Sequence, residues 1–306
     1  MNDIKALRDR LQEILPAFSI REEEPLAKHT SFRIGGNAQL MVFPRTSQEL
    51  SAVLQAAKEF NIVVKILGAG TNVLAPDEGV SGLVICLRET FMGLRLLDGN
   101  IVEAMAGMSL AQTAMFAARN GLSGMECLHG IPGTVGGGVY MNAGAYGGEI
   151  KDIALRTEFM SLDGKTQWFE GQAQELGYRK SVFQGLQGVI VRTQFQLQKG
   201  EESEIRAKIR ELNEKRRASQ PLEMPSAGST FKRPTGYFAG TLIDEAGLKG
   251  LSVGGAQVSE KHAGFIVNKG GATAKDVLAL IELVQQRVYE NSGVHLEPEV
   301  RLWGRE

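Results

Sequence analysis

The sequence predicts an α+β protein built of more than one lobe, and three observations carry that prediction. Strand-length β-branched runs alternate with amphipathic helical stretches, without an internal repeat. Glycine gathers in two loops, at 68–72 and 130–150. After GVIVRTQFQLQ (188–198) the chain turns highly charged and then opens a second region of mixed helix and strand. With 306 residues, 43% of them hydrophobic and 23% charged, it is long enough to bury two or three packed cores.

Taken in order, MNDIKALRDRLQEILPAF (1–18) has the spacing of an amphipathic helix with charges throughout, so it reads as neither a signal peptide nor a membrane span. TSQELSAVLQAAKEF (46–60) is a second helix, with Thr46 and Glu49 spaced for a capping box. IVVKIL (62–67), GLVICL (82–87) and NIVEAMAG (100–107) read as strands, and SLAQTAMFAARNGL (109–122) as a helix closed by Gly121. In RTEFMSLDGKTQWFE (156–170) the Asp163-Gly164 pair suits a tight primed turn between alternating strands. Its GKT is no phosphate loop, because Phe159 stands where that motif needs its first glycine. EESEIRAKIRELNEKRRASQ (201–220) is a charged helix bridging two lobes, with Ile205, Ile209 and Leu212 on one face. TAKDVLALIELVQQRVYENSG (273–293) is the last long helix, and a strand signal follows Pro298.

Composition excludes several classes of function. A net charge of −1 provides no general field for nucleic acid or acidic membranes. Cys86 and Cys127 form no CxxC and no disulfide framework, and both read as buried apolar residues. His29, His129, His262 and His295 lack metal-ligand spacing, so no metal is implied, and His262 is expected to be a hydrogen-bonded residue of the last lobe. A soluble, cytoplasmic protein is expected.

GIPGTVGGGVYMNAGAYGGEI (130–150) is eight parts glycine in twenty-one residues, yet its Ile131, Val135, Val139, Tyr140, Met141 and Tyr146 give it anchors that a flexible linker lacks. Bare backbone of this kind serves either turns or the close approach of a ligand. GAGTN (68–72) and IPGTVGGG (131–138) both present amides with Thr and Asn side chains, which suits a pyrophosphate. Neither is a dinucleotide fingerprint. Two such loops in one chain point to a long phosphate-bearing ligand such as FAD.

These loops belong to an ordered set: TSFRIGG (30–36), GAGTN, GIPGTVGGGVYMNAGAYGGEI, YRKSVF (178–183), QPLEMPSAGSTFKRP (220–234), GLKG (247–250), SEKHAGFIVN (259–268) and LEPEVRLWG (296–304). The set closely resembles the UDP-N-acetylenolpyruvoylglucosamine reductase family and covers almost the whole chain. The resemblance implies a vanillyl-alcohol-oxidase-type (PCMH-type) FAD-binding fold of two lobes, 1–74 and 75–200, plus a C-terminal α+β substrate-binding domain, 201–306, with the extreme C-terminus returning to the FAD site. It implies non-covalent FAD, NADPH as co-substrate and a UDP-sugar substrate in peptidoglycan precursor synthesis. No nucleic-acid or membrane partner is implied, and a monomer is favoured. The stretch from Val191 to Arg217 contains no tyrosine, so the chain resembles the shorter form of the family, which lacks a tyrosine-bearing loop.

Carried over position by position, the resemblance makes Arg179, Ser229 and Glu299 catalytic. An arginine offers a permanent fork to a carboxylate that gains charge as a hydride arrives. Ser229 is the proton donor to the carbanion-like C2, with Gly228 beside it allowing close approach. Glu299 would repel that developing charge if ionised, so it is expected to carry or share a proton in the reactive complex. Gly68, Ala69, Gly70, Thr71 and Asn72, with Ile131, Pro132, Gly133, Thr134, Gly136 and Gly137, are the implied pyrophosphate loops, and Asn142, Gly144 and Ala145 the implied flavin region. Tyr178, Arg217, Lys232 and Arg233 are implied contacts of the UDP-sugar. Where the family often has a lysine this chain has Ser219, with Arg216 or Arg217 as its replacement. An oxygen-using flavoprotein oxidase of the same fold, or a binding module without turnover, would be expected to lack the Arg179, Ser229 and Glu299 set.

Overall fold

The computed structural model describes residues 2–304. The chain divides into two compact units. One contains the chain up to Glu23, Gln39–Ala69 and Ser81–Lys215; the other contains Glu24–Ala38, Gly70–Val80 and the chain from Arg216 onward. Compactness thus groups the chain differently from the three consecutive stretches expected. Two early segments belong with the C-terminal region, and one boundary lies inside GAGTN, between Ala69 and Gly70.

In the first unit, helices Asn2–Ile14 and Ser47–Glu59 bury Leu7, Leu11, Leu50, Val53 and Leu54 in a common core. Thr46 caps the second helix through the Glu49 amide, but the Glu49 carboxylate accepts from the Arg45 amide at 2.6 Å, so the capping motif is displaced by one residue from the expected box. A four-stranded sheet, nearly all of it in this unit, has the order Ile20–Pro25, Asn37–Val42, Val80–Cys86, Val64–Leu67. The last pair is parallel, which ends the 64–67 strand at the GAGTN loop.

An antiparallel five-stranded sheet follows, in the order Thr166–Glu170, Ala154–Ser161, Gly188–Gln196, Ile101–Met105, Leu94–Leu97. Its hairpin at Asp163-Gly164 corrects the expected two-residue turn. Ser161 and Lys165 face each other across a three-residue loop, Gly164 amide donates to the Ser161 carbonyl at 2.9 Å, and Gly164 alone is left-handed, with φ 80°. This is a type I turn closed by a glycine bulge, which an Asp-Gly pair serves equally well. Helix Leu110–Arg119, capped by Ser109 and Gln112, buries Leu110, Ala114 and Ala117 in the same core.

The second unit holds the sheet Ser226–Ser229, Phe265–Asn268, Ala256–Val258, Ser252–Val253. Helix Ala274–Ser292 buries Val277, Leu280, Ile281, Val284 and Val288 in its core, with Phe32 and Phe231. That helix starts at a Thr273–Asp276 capping box and stops at left-handed Gly293. Arg301–Leu302 pairs in parallel with Val73–Leu74, so the chain end returns to the segment after GAGTN. Cys86 is buried and Cys127 partly so; neither is in a disulfide. Among the described residues no helix is long and apolar enough to cross a membrane.

Candidate active site

In the first unit the two glycine loops meet. Gly68 directly follows strand Val64–Leu67, and a Cβ there would lie 2.5 Å from the Thr134 hydroxyl. Thr134 caps the short helix Val135–Tyr140 by accepting from the Gly137 amide at 3.3 Å. Several glycines of the second loop are demanded by the protein itself: a Cβ at Gly136 would lie 2.9 Å from Ala106, at Gly144 2.6 Å from Glu149, and at Gly148 2.5 Å from the Cys127 sulfur. Gly137 differs, since it is exposed and a Cβ would touch only Thr134. Gly68, Thr134 and Gly137 thus lie together, with Gly137 the one of these glycines that the protein's own packing does not demand.

The loop continues into Asn142, which is completely buried. Its amide donates to the Glu149 carboxylate at 2.9 Å and to the Gly177 carbonyl at 2.8 Å, and its oxygen accepts from the Lys151 amide at 2.9 Å. This side chain faces the protein and is spent there; of the implied flavin contacts only its backbone remains to offer. The Glu149 carboxyl pKa is lowered from its ordinary value, chiefly through its bond to Lys151, with Asn142 and the charge of Arg179 contributing.

Arg179 occupies a tight turn. Gly177 and Lys180 exchange both amide-carbonyl bonds, at 3.0 and 3.1 Å, leaving Tyr178 and Arg179 at the tip. Arg179 has φ 53°, the left-handed region that this turn position ordinarily reserves for glycine or asparagine. Its guanidinium lies 5.2 Å from the Tyr178 ring, and Tyr178 is half exposed. Downstream, Phe183 is buried and stacks on Phe159 at 5.7 Å, anchoring the segment to the five-stranded sheet.

The second unit assembles the remaining set on one frame. Ser229 ends strand Ser226–Ser229, where left-handed Gly228 leaves open space beside it. The Glu299 amide donates to the carbonyl of Thr230, the neighbour of Ser229, at 2.8 Å, while Asn72 donates to the Glu299 carbonyl at 3.2 Å. The tail of GAGTN, the serine and the glutamate are thereby fixed to one another. Ser229 and Glu299 are both half-buried, and the Ser229 hydroxyl bonds the Phe231 carbonyl at 3.2 Å. Lys232 pairs with Glu297 at 3.0 Å, and Arg233 covers Phe238 at 3.9 Å. Of the two alternatives near Ser219, Arg216 is buried and Arg217 is exposed. His262 accepts from the Gly264 amide at 3.1 Å, and burial pulls its pKa down, which agrees with the structural role expected of it. Among the described residues no cluster of potential metal ligands occurs.

Thr230, Glu149 and Gln184 were not singled out from sequence, although all three lie within or beside the recognised motifs. Their signal was adjacency alone.

This architecture defines a flavoprotein: residues 38–170 match the family model described as an FAD binding domain, and residues 220–303 the one described as the C-terminal domain of UDP-N-acetylenolpyruvoylglucosamine reductase. A UDP-N-acetylenolpyruvoylglucosamine reductase of Lachnoclostridium phytofermentans is 47% identical over 99% of this chain and 98% of its own length, and that of Clostridioides difficile is 44% identical over 97% of each. The crystal structure of the reductase from Thermus caldophilus superposes with a TM-score of 0.80 at 38% identity, covering 93% of this chain and 99% of that one. The chain belongs to the UDP-N-acetylenolpyruvoylglucosamine reductase family, and it is an FAD-dependent oxidoreductase.

Proposed function

We infer that this chain reduces the enolpyruvyl ether of UDP-N-acetylglucosamine enolpyruvate to the lactyl ether of UDP-N-acetylmuramate, with NADPH as the reductant. The observation that carries the reading is the frame joining Asn72, Glu299 and the Ser229 strand, since it ties a cofactor loop to a hydroxyl donor and a carboxyl group. Bound FAD supplies the hydride relay from NADPH to C3 of the substrate.

The remaining tasks fall to the chain. As the hydride adds to C3, the double bond opens and its electron pair moves to C2 and the adjacent carboxylate. Arg179 neutralises that carboxylate, and a cation preset in a rigid turn does so without reorganisation. Ser229 gives its hydroxyl proton to C2 on one face and regains one from solvent. Glu299, holding a proton, donates a hydrogen bond where a carboxylate would repel. Bare backbone at Gly68, Gly70, Thr134 and Gly137 takes the FAD pyrophosphate. Arg217, Lys232, Arg233 and Tyr178 hold the UDP-sugar, with exposed Arg217 in the place of the family's lysine. The lobes 1–74, 75–200 and 201–306 are the functional division, the working species is a monomer, and the reaction takes place in the cytoplasm, where nucleotide sugars and NADPH are made.

The half-reactions test this reading. Ser229→Ala should leave flavin reduction by NADPH intact and slow reoxidation by the enolpyruvyl substrate about 10²- to 10⁴-fold, the usual contribution of a positioned proton donor. Equal rates in both half-reactions for the variant and the parent protein would remove Ser229 from its role.

A further inference from the structure

Arg179 is held in a conformation that its own side chain disfavours, and such residues persist only where their surroundings over-determine them. Two side chains supply that determination here. Asn142 grips the turn from one side, donating to the Gly177 carbonyl at 2.8 Å. Gln184 grips it from the other, with one amide donating to the Arg179 carbonyl at 3.0 Å and to the Tyr140 carbonyl at 2.8 Å. The Tyr140 carbonyl also accepts from the buried Ser181 hydroxyl at 2.7 Å. Tyr140 ends the helix of the second glycine loop, whose terminal carbonyls have no intrahelical partner. The arginine turn is therefore bolted to the end of the glycine-rich helix through both of its carbonyls.

We propose that Asn142 and Gln184 are positioning residues for Arg179, fixing its guanidinium relative to the glycine-rich loop that takes the cofactor. The proposal rests on the reading of Arg179 as the residue that neutralises the substrate carboxylate. Neither side chain needs to touch substrate: Asn142 is wholly buried and its polar atoms are all engaged within the protein. The amide is the one neutral side-chain group with two N–H donors, so each of the two residues can hold two acceptors at once. Misplacing a reacting group by about an ångström costs on the order of a hundredfold in rate.

The test uses the FAD-loaded full-length protein, reduced anaerobically with NADPH and then mixed with UDP-N-acetylglucosamine enolpyruvate in a single turnover. Gln184→Met keeps the volume and removes both donors; Asn142→Asp keeps the shape and the acceptor for Lys151 but removes the grip on Gly177 and turns a second carboxylate toward Glu149. Gln184→Met is expected to slow reoxidation about ten- to a hundredfold while leaving flavin reduction by NADPH within about twofold of the parent, and Asn142→Asp to slow reoxidation by a larger factor than it slows reduction. In an Arg179→Gly background Gln184→Met should add nothing, because the group it positions is gone. A purely structural role would instead slow both half-reactions alike and multiply through in either background, and that result overturns the proposal. So does parental reoxidation in both variants. Parental reoxidation in Arg179→Gly alone would instead overturn the catalytic reading of Arg179, which separates the two failures. Gln184→Glu, with a carboxylate facing two carbonyls, is the further variant should Gln184→Met fail to fold, with the same expected outcome.

Discussion

Arg179 sits where the fold wants glycine, so replacing it by glycine should separate stability from activity. A non-glycine residue in the left-handed region costs roughly 1–2 kcal/mol. Glycine returns about 0.5–1 kcal/mol of that as extra freedom of the unfolded chain. Losing the stacking on half-exposed Tyr178 removes about another 0.5 kcal/mol. The turn itself is closed by backbone bonds between Gly177 and Lys180, which the substitution leaves in place. Arg179→Gly is thus expected to fall between about 0.5 kcal/mol of destabilisation and about 1 kcal/mol of stabilisation, a thermal midpoint between about 2 °C below and about 4 °C above the parent. Turnover should fall by about 10²–10³, the usual consequence of deleting one preset charge-stabilising group. Thermal unfolding of the FAD-loaded protein and steady-state turnover measure the two quantities, with Lys180→Gly, in the same turn but outside the left-handed region, as the control expected to lose stability. A midpoint lowered by more than about 4 °C, or activity within about tenfold of the parent, would refute the reasoning.

Other consequences are equally direct. Glu299→Gln, which keeps a donor but cannot ionise, should retain part of the second half-reaction and flatten its pH profile; an unchanged profile means that the carboxyl proton is not used. Gly70→Ala places a methyl group 2.1 Å from the His29 carbonyl oxygen at a left-handed φ of 61°, and should abolish stable folding or flavin retention, whereas Gly228→Ala, with nothing within 4 Å, should cost only about 1–2 kcal/mol for its φ. Denaturant melts of the two variants make the comparison. Burial pushes the Cys86 thiol from 9.0 up to about 11, so the folded state favours the neutral form. Its contribution to stability is complete below pH 9 and is lost as pH rises through 11, on the order of 3 kcal/mol in all. Cys86→Ala should remove that alkaline decline in chemical denaturation; a decline identical in both proteins would assign it to other groups.

Periodicity made the helices and most strands legible, because Leu7, Leu11, Val53 and Val284 recur on faces that the core then buries. Turn chemistry was less determinate: Asp163-Gly164 serves both a two-residue and a three-residue loop, and only the strand register decides between them. Discontinuous grouping was hidden for a different reason. Val73 pairs with Arg301, and no local pattern records a partner so remote in sequence. The same holds at the site. Arg179, Ser229 and Glu299 were readable as motif positions, but the left-handed turn under Arg179 and the Asn142 grip across 35 residues depend on tertiary hydrogen bonds. The glycine cluster was half legible: its density signalled close approach, while the structure assigns Gly136, Gly144 and Gly148 to contacts within the protein.

The central claim is that electrons from NADPH leave this protein by way of an enolpyruvyl ether. Its most direct test is anaerobic: reduce the bound flavin with NADPH, add UDP-N-acetylglucosamine enolpyruvate, and follow the flavin absorbance while identifying the product. The account predicts prompt reoxidation with stoichiometric UDP-N-acetylmuramate. Flavin that stays reduced with the enolpyruvyl sugar and reoxidises only when oxygen is admitted would contradict it.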